Sequence, residues 1–409
     1  MPLPQMAGSH LEPFEEIPLE KSLKKLTLSL AGAILAVTGA VSLFAQEFGR
    51  TQPLKGYYLT EPWKQGTHSD AASQSLAGTT IPLFTYSFAA TKDNSTRSGT
   101  MVGTSPFVTP LTGSTTPVVI VPLKITIGST VYDPTAANTC DSSVSTVTRL
   151  QNSPLIANSS LTMNGVNVGN TQFINGFRRA EFWSKVAGSA TYNNTLSPVT
   201  VSATQSLTAG VNGSNYSSGC TGLGIVGYNW ISGQLSTLLA NLTASGVVGP
   251  TKFVVFLVKN VVQSTANPPG TSGCCILGFH SAKGNPVQTY AITDWDTTGL
   301  FTGTRDGSIA AHEIGEWMDD PLGTNPTPGW GNIGQVSGCQ SNLENGDPLS
   351  GNLMPTITLS GYGYHMQELG FFSWYFNKLG AASLGSGGKF SSNGKFAGPS
   401  KVCPPGGTN

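Results

Sequence analysis

The sequence has little charge. Only 10% of its 409 residues are Asp, Glu, Lys or Arg, and the two signs balance to a formal net charge of zero. A neutral chain has no electrostatic attraction to nucleic acid or to an anionic membrane surface, so neither is expected as a partner. Glycine is abundant instead, with 50 residues, and serine, threonine and asparagine are frequent. This composition predicts many loops and a surface solvated by hydroxyls and amides, as in extracytoplasmic proteins.

Cysteine is also sparse, and its spacing contains no Cys-x-x-Cys pair. A zinc–thiolate site is therefore the weaker interpretation, and disulfides in an exported protein are the stronger one. Six cysteines allow fifteen pairings, so the connectivity stays open. Adjacent Cys274 and Cys275 are expected to bond to different partners, because a bond between neighbours closes a strained ring. The full set is Cys140, Cys220, Cys274, Cys275, Cys339 and Cys403.

Residues 1–45 have the order of an export signal. Three lysines precede an apolar run at 26–40, and small residues follow it as far as Ala45. The alternative is a membrane anchor, since about twenty apolar residues are long enough to cross a bilayer. The many small residues in the run favour removal. We therefore expect a secreted protein without stable membrane association after cleavage. The lysines are Lys21, Lys24 and Lys25.

Hydrophobic periodicity predicts the α+β fold class. Residues 46–70 show little periodicity and are expected to form an irregular arm without visible chemistry. We expect a β-rich region over 46–225, a second region over 226–380 and a Gly/Ser-rich tail over 381–409. Strands are predicted at 80–89, 116–127, 252–259 and 287–293, and helices at 171–187, 228–242 and 364–376.

Three of these segments carry specific expectations. Prolines within 116–127 indicate a bulge or a sheet edge. The alternation of apolar and polar residues in 287–293 indicates an edge strand bordering a substrate cleft. Arg178 and Arg179, on the helix at 171–187, are expected on a solvated or structural face, and binding of a substrate carboxylate is the alternative.

The chemistry concentrates in residues 306–321. Within them, the nine residues 312–320 contain four carboxylates and one of the chain's five histidines. If the stretch is helical, His312 and Glu316 project from one face at the spacing of paired metal ligands. Glu313 then lies beside the ion, where a general base would stand. The alternative is a solvated acidic helix end without a metal.

The helix is expected to be short. Asp306 or Ser308 can cap its first turn, and Pro321 makes continuation beyond Asp320 unfavourable. Its motif is His-Glu-x-x-Glu, with a glutamate where the commoner motif has a second histidine. Carboxylate oxygen ligates zinc, and it also favours harder ions such as Mn²⁺ or Ca²⁺. The expected cofactor is one divalent metal ion, with zinc as the first choice.

A metal site needs further ligands from elsewhere in the chain. Glu344 and Asp347 are the best candidates. His280, at the end of a predicted strand, is a further candidate, either as a ligand or as a transition-state donor. Asp320 is a possible supporting residue, although a carboxylate just after a helix more often caps or braces a loop. His365, which enters an aromatic segment, is expected to be a packing residue.

Several segments occur in an order that resembles the Exordium/phosphate-induced protein family of secreted proteins. The resemblance covers about residues 250–377, and its most specific parts are the His-Glu-x-x-Glu…Pro helix and the later Glu-x-x-Asp. It implies a zincin-like fold for this region, metal ligation by the helix pair and a supporting role for Glu344 or Asp347. The segments are Phe253-Val-Val-Phe-Leu-Val, Cys275-Ile-Leu-Gly-Phe-His280, Asp306-Gly, His312-Glu-x-x-Glu316, Asp320-Pro321, Trp330 and Glu344-Asn-Gly-Asp347.

The leading functional hypothesis is a secreted metal-dependent hydrolase, a peptidase above all. In it the ion polarises a carbonyl and Glu313 acts as the general base on water, so a protein or peptide is the expected substrate. The competing hypothesis is a non-catalytic extracellular binding or signalling protein. Its metal would hold the helix to the Glu344 loop.

The export signal gives the first prediction. The mature chain should begin near Gln46, because cleavage follows the small residues that end at Ala45. Amino-terminal sequencing of exported protein measures this directly. Recovery of the intact 26–40 segment in a membrane fraction would show an anchor instead.

Overall fold

A computed structural model describes residues 54–137, 144–216, 222–376, 389–401 and 403. The predicted export signal, Cys140 and Cys220 lie outside the described residues, as does most of the predicted tail. The described residues all belong to one compact unit, Gln52–Asn409. Within these ranges, no helix is both long enough and apolar enough to cross a membrane.

The described chain mixes α-helices with a larger number of β-strands. The helices are α1 His68–Leu76, α2 Thr146–Gln151, α3 Phe173–Glu181, α4 Trp183–Val186, α5 Tyr228–Ala244, α6 Ser308–Asp319 and α7 Phe372–Phe376, with 3₁₀ turns at Gly210–Asn212 and Asp347–Leu349. The strands are β1 Tyr57–Glu61, β2 Leu83–Ala89, β3 Thr96–Val102, β4 Ser114–Ile127, β5 Thr130–Tyr132, β6 Ser159–Met163, β7 Val166–Thr171, β8 Asn194–Val201, β9 Gln205–Thr208, β10 Gly213–Tyr216, β11 Leu223–Gly227, β12 Phe253–Lys259, β13 Val261–Ser264, β14 Cys274–Lys283, β15 Gln288–Trp295, β16 Pro326–Ile333, β17 Val336–Asn342, β18 Ile357–Leu359 and β19 Tyr362–Tyr364.

A mixed sheet of eleven strands forms the centre of the fold. Its main path is β10-β11-β13-β14-β15-β12-β4-β5, with β1 beside β14 and with β8 and β9 beside β4. The β4, β12 and β15 strands run parallel, whereas β14 is antiparallel to β15. Strands from both predicted regions therefore share one sheet. The pairs β2–β3, β6–β7, β16–β17 and β18–β19 stand apart from it.

The predicted strand at 252–259 is buried on both faces. In β12, Val255 and Leu257 pack in the core that includes α6, and Val254 and Phe256 pack in the core that includes α5. A strand covered on both faces needs apolar residues at every position, which explains its continuous hydrophobic run. The Trp317 ring of α6 stacks on a β12 phenylalanine, Phe253, with ring centroids 3.7 Å apart.

One proline of β4, Pro117, lies at an irregularity in the strand pairing, in line with the bulge that was one of the two outcomes expected. The register between β4 and β8 shifts between Thr116 and Val118, on either side of Pro117. The strand itself is interior, because β12 pairs with one edge and β8 and β9 pair with the other.

The predicted edge strand at 287–293 is wrong in its position. Its strand, β15, lies between β12 and β14, and all eight of its residues are buried. Thr289 and Thr293 lie on the same face of β15 as Ala291 and Trp295. That face packs in the core that includes α6. Small polar residues under a helix therefore produced the alternation that solvent exposure normally produces.

Two further expectations about 306–376 are also wrong. Only α7 is helical in the predicted helix at 364–376, because the backbone at Glu368 and Gly370 hydrogen-bonds to Asn352 and Asn345 instead of to its own turn. The α6 helix does end before Pro321 as expected. However, neither Asp306 nor Ser308 caps it, since the N-cap is Gly307 and has no side-chain hydrogen bond.

The expectation for the adjacent cysteines is corrected as well. Cys274 and Cys275 bond to each other. The peptide between them is cis, and their Cα atoms lie 3.0 Å apart, a backbone geometry that the residue pattern does not reveal. A second disulfide joins Cys339 to Cys403 and fixes the C-terminal segment against β17.

Arg178 of α3 binds the carboxyl end of α6. Its guanidinium donates to the Met318 carbonyl at 2.6 Å and pairs with Asp319 at 2.8 Å and with Glu181 at 3.4 Å. All of these side chains are buried. Arg178 is thus a structural residue, and it holds the end of the helix that carries the His-Glu-x-x-Glu motif.

Removal of this arginine should destabilise the fold strongly. Arg178→Ala leaves two carboxylates buried without their cation, so the free energy of unfolding should fall by about 3–5 kcal/mol. Urea denaturation of both proteins measures the difference. Arg97→Ala is the matched control, because Arg97 pairs with Asp93 at the surface and should change stability by about 0–1 kcal/mol. Equal losses in the two variants would contradict the assignment.

Candidate metal centre

The fold brings five of the predicted site residues together under the sheet. They form two sets of three, and within each set one donor atom per residue lies within 4.8 Å of the others. His312, Glu316 and Asp347 form one set. His280, Glu316 and Glu344 form the other, so the carboxylate of Glu316 belongs to both. All five residues are buried.

His312 and Glu316 lie on one face of α6, as their spacing predicts. The His312 Nε2 atom is 3.0 Å from Oε1 of Glu316 and 3.4 Å from Oδ1 of Asp347. Ligands of a tetrahedral ion with bonds of about 2.1 Å lie roughly 3.4 Å apart. His312 is therefore at the separation from each carboxylate that a shared ion requires, and the three donors all lie within 4.8 Å of one another.

Gln367 holds the other nitrogen of the His312 ring. Its side-chain amide nitrogen lies 2.8 Å from His312 Nδ1 and donates to the Gly346 carbonyl, also at 2.8 Å. Donation to Nδ1 leaves the ring proton on Nε2, beside Glu316. Ligation through Nε2 replaces that proton, and the Gln367 amide must then turn so that its oxygen accepts a proton from Nδ1.

His280 reaches the same carboxylate from β14. Its Nε2–H donates to the Asp320 carbonyl at 3.0 Å, which leaves Nδ1 with a free lone pair. Nδ1 lies 3.6 Å from Oε2 of both Glu313 and Glu316, beyond hydrogen-bonding distance, and Glu344 Oε2 lies 4.0 Å from Nε2. A backbone acceptor that fixes the tautomer is typical of a metal-ligating histidine.

Each carboxylate of the cluster has one oxygen held by the protein. Glu316 Oε1 accepts the backbone N–H groups of Gly346 and Asp347, at 3.1 and 3.2 Å. Two amides of β17 hold the others, because Asn342 donates to Glu344 Oε1 at 2.9 Å and Gln340 donates to Asp347 Oδ2 at 3.1 Å. The second oxygen of each carboxylate faces the histidines.

Several polar atoms that face the cluster have no hydrogen bond to the described residues. They are His280 Nδ1, His312 Nε2, Glu344 Oε2 and both carboxylate oxygens of Glu313. An unpaired buried polar atom costs about 1–3 kcal/mol, and more if it is charged. Since these atoms are imidazole nitrogens and carboxylate oxygens at ligand spacing, the residues fit a divalent cation such as zinc or manganese.

The carboxyls in this interior have shifted pKa values. Burial raises the pKa of Glu313 to about 7, against the opposing effect of the two histidines. Burial and the charge of Glu316 raise the pKa of Asp347 to about 6. Burial lowers the pKa of His312, but the nearby carboxylates outweigh it and raise that pKa well above its ordinary value. Bound protons therefore neutralise part of the negative charge of these carboxyl groups, and a bound cation would displace those protons.

The remaining candidates have supporting positions. Asp320 accepts the backbone N–H groups of Thr324 and Asn325 at 2.9–3.0 Å, so it braces the loop after α6 and contributes only its carbonyl to His280. His365 is not simply a packing residue, because its Nδ1 atom lies 2.6 Å from the Asp306 carboxylate.

Tyr58 is a site residue that no sequence pattern predicted. The residue belongs to β1, inside the stretch expected to be an irregular arm without chemistry, and its ring stacks on His312 with centroids 3.4 Å apart and planes 12° apart. Tyr58 also lines a cavity of about 330 Å³ together with Thr304, Gln335 and Ser350. One aromatic ring therefore stands between this cavity and the cluster. The two rings are 254 positions apart in the sequence, so no local pattern signals the contact.

Gln340, Asn342 and Gln367 were missed as well. The first two are two positions apart on β17 and so point to the same side of the strand, a spacing that is visible in the sequence but has no meaning until the carboxylates are located.

No protein-family model, curated protein or solved structure matches this chain. The resemblance to the Exordium/phosphate-induced family therefore stays a prediction.

Gly346 offers a test of the site geometry. A Cβ at this position would lie 2.5 Å from His312 Nδ1, although the backbone φ of −87° suits any residue. Gly346→Ala should therefore displace the His312 ring and weaken metal binding about 10- to 100-fold, the effect typical of disturbed ligand orientation. Calorimetric titration with Zn²⁺ measures the affinity.

Gly188→Ala is the matched control for this test, because nothing lies within 4 Å of its added Cβ. Its affinity for Zn²⁺ should equal that of the parent. Unchanged affinity in Gly346→Ala would show that the His312 ring is not a ligand.

Proposed function

We propose that this chain is a secreted, metal-dependent hydrolase that acts on peptide bonds, with zinc as its ion. The observation that supports it best is the set of buried imidazole and carboxylate atoms without hydrogen bonds around Glu316. A protein interior does not retain such atoms unless something compensates them. A divalent cation does so, and when bound it acts as a Lewis acid on a substrate carbonyl.

Glu313 is the proposed general base. It follows His312 on α6, so it projects from an adjacent side of the helix, and its carboxylate reaches the neighbourhood of His280 Nδ1 at 3.6 Å. Neither of its oxygens forms a hydrogen bond to the described residues, and each is therefore free to accept a proton from an attacking water.

The cavity beside Tyr58 is the proposed route for substrate. It opens next to the ring that covers His312, and its lining includes the Thr304 and Ser350 hydroxyls and the Gln335 amide. The Gln335 amide bonds both backbone groups of Tyr58, at 2.9 and 3.0 Å, and so holds the residue that covers His312. Displacement of Tyr58 would connect the cavity to His312.

The short helix with a His-Glu-x-x-Glu motif, followed by acidic ligands from a later loop, favours a zincin-like arrangement. The resemblance to the Exordium/phosphate-induced family points to the same class. The two disulfides of the described residues suit an oxidising compartment, and so support the proposed secretion.

A second candidate function is a non-catalytic extracellular binding protein with a structural metal. The burial of the ligands favours it, because the five side chains are at most 8% exposed and Tyr58 covers His312. Here the cation would join α6 to the loop that carries Glu344 and Asp347. Stability would then depend on the metal, and Glu313 would have no catalytic role.

Substitution of Glu313 separates the two functions. Glu313→Gln keeps the size of the side chain and leaves the proposed ligands in place, so it should retain metal and lose hydrolysis about 10²–10⁴-fold. His312→Ala should instead lose the ion that the His312 set binds. The substrate comes from a screen of unfolded proteins and peptide libraries, and the rate of its cleavage is the measurement.

Glu61→Gln is the control for this comparison, because Glu61 bonds Tyr228 and Ser232 of α5 and lies outside the donor sets. It should cleave the substrate at the parent rate. Full activity in Glu313→Gln would remove Glu313 as the base and favour the binding protein.

A further inference from the structure

We infer that the centre holds two divalent cations, bridged by the carboxylate of Glu316. This inference rests on the proposed function, because it assigns the occupancy of the same centre. The candidate donors of the centre divide into two sets. His312, Glu316 and Asp347 form one set of neighbouring donors, and His280, Glu316 and Glu344 form the other.

A single ion does not account for both histidines. Two donors of one ion with bonds of about 2.1 Å are at most about 4.2 Å apart. Among the described residues, no set of three or more donors within 4.8 Å of one another contains His280 together with His312. Either one set is unused, or each set binds its own ion.

The orientation of Glu316 favours two ions. Its Oε1 atom lies 3.0 Å from His312 Nε2, and its Oε2 atom lies 3.6 Å from His280 Nδ1. The two oxygens of one carboxylate thus face different imidazoles. A carboxylate in this position joins metals about 3.5–4 Å apart in two-metal hydrolytic sites.

Neighbouring groups hold one imidazole and one carboxylate in each set. Gln367 lies against the ring of His312, although its amide must turn before Nε2 ligates, and Gln340 holds Asp347. The Asp320 carbonyl holds the ring of His280, and Asn342 holds Glu344.

Manganese tests both the number of ions and the bridge. Metal-free mature protein is titrated with Mn²⁺, bound metal is counted by elemental analysis, and the loaded protein is examined by electron paramagnetic resonance. We expect two Mn²⁺ per chain and the spectrum of an exchange-coupled pair, because the bridge holds them within about 4 Å. A Mn²⁺ count of one would overturn the inference and leave the proposed function intact. A count of zero, with Zn²⁺ as well as with Mn²⁺, would overturn both.

Histidine variants locate the two ions. His280→Ala and His312→Ala should each bind one Mn²⁺ per chain and show the spectrum of an isolated ion. His365→Ala, whose histidine pairs with Asp306 outside both sets, should keep the coupled pair. Circular dichroism checks the fold of each variant, and the count in the unsubstituted protein does not depend on them. Two ions without coupling in that protein would overturn the bridge.

Discussion

The rest of the site depends on one constraint, the complete burial of an acidic helix. Every residue of α6 is buried, including three carboxylates, and Asp320 beyond its end is buried too. Arg178 compensates Asp319, and backbone N–H groups compensate Asp320. The helix face that carries Glu313 and Glu316 receives histidines instead of fixed cations. An imidazole can share a proton with a neighbouring group or ligate a metal ion, whereas a fixed cation can do neither. The chemistry of the site follows from the presence of histidines at this face.

The sheet and the loops determine where this chemistry occurs. The β14 strand supplies His280 from the centre of the sheet, and β17 supplies the amides that orient Glu344 and Asp347. These parts come from distant segments, and their packing excludes water from the cluster. In such an interior, interactions between charges are stronger than at a surface, which strengthens metal binding and also raises the free-energy penalty of an unbalanced charge. A hydrolase and a structural metal site would share this framework. They differ in whether a substrate reaches the cluster past Tyr58.

Hydrophobic periodicity correctly predicted the elements whose apolar residues follow one regular pattern of burial. The continuous apolar run of β12 and the helical spacing of α5 identified both, because each reflects burial on a fixed face. The same reasoning failed for β15, where threonines under a helix imitate an exposed face. It also failed at 364–376, since backbone pairing with a distant loop replaced the helix there. Local patterns report burial, but they do not report which partner causes it.

The sequence by itself determined which residues of the helix and of the later loop are candidates for the site. Helical spacing put His312 and Glu316 on one face, and the need for further ligands from elsewhere in the chain pointed to Glu344 and Asp347. Only the tertiary structure divided the candidate ligands into two sets that share Glu316. It alone introduced Tyr58, from a segment without local signal. The physical reason is that side-chain spacing within one helix is set by its own backbone, whereas contacts between distant segments are set by the packing of the whole sheet.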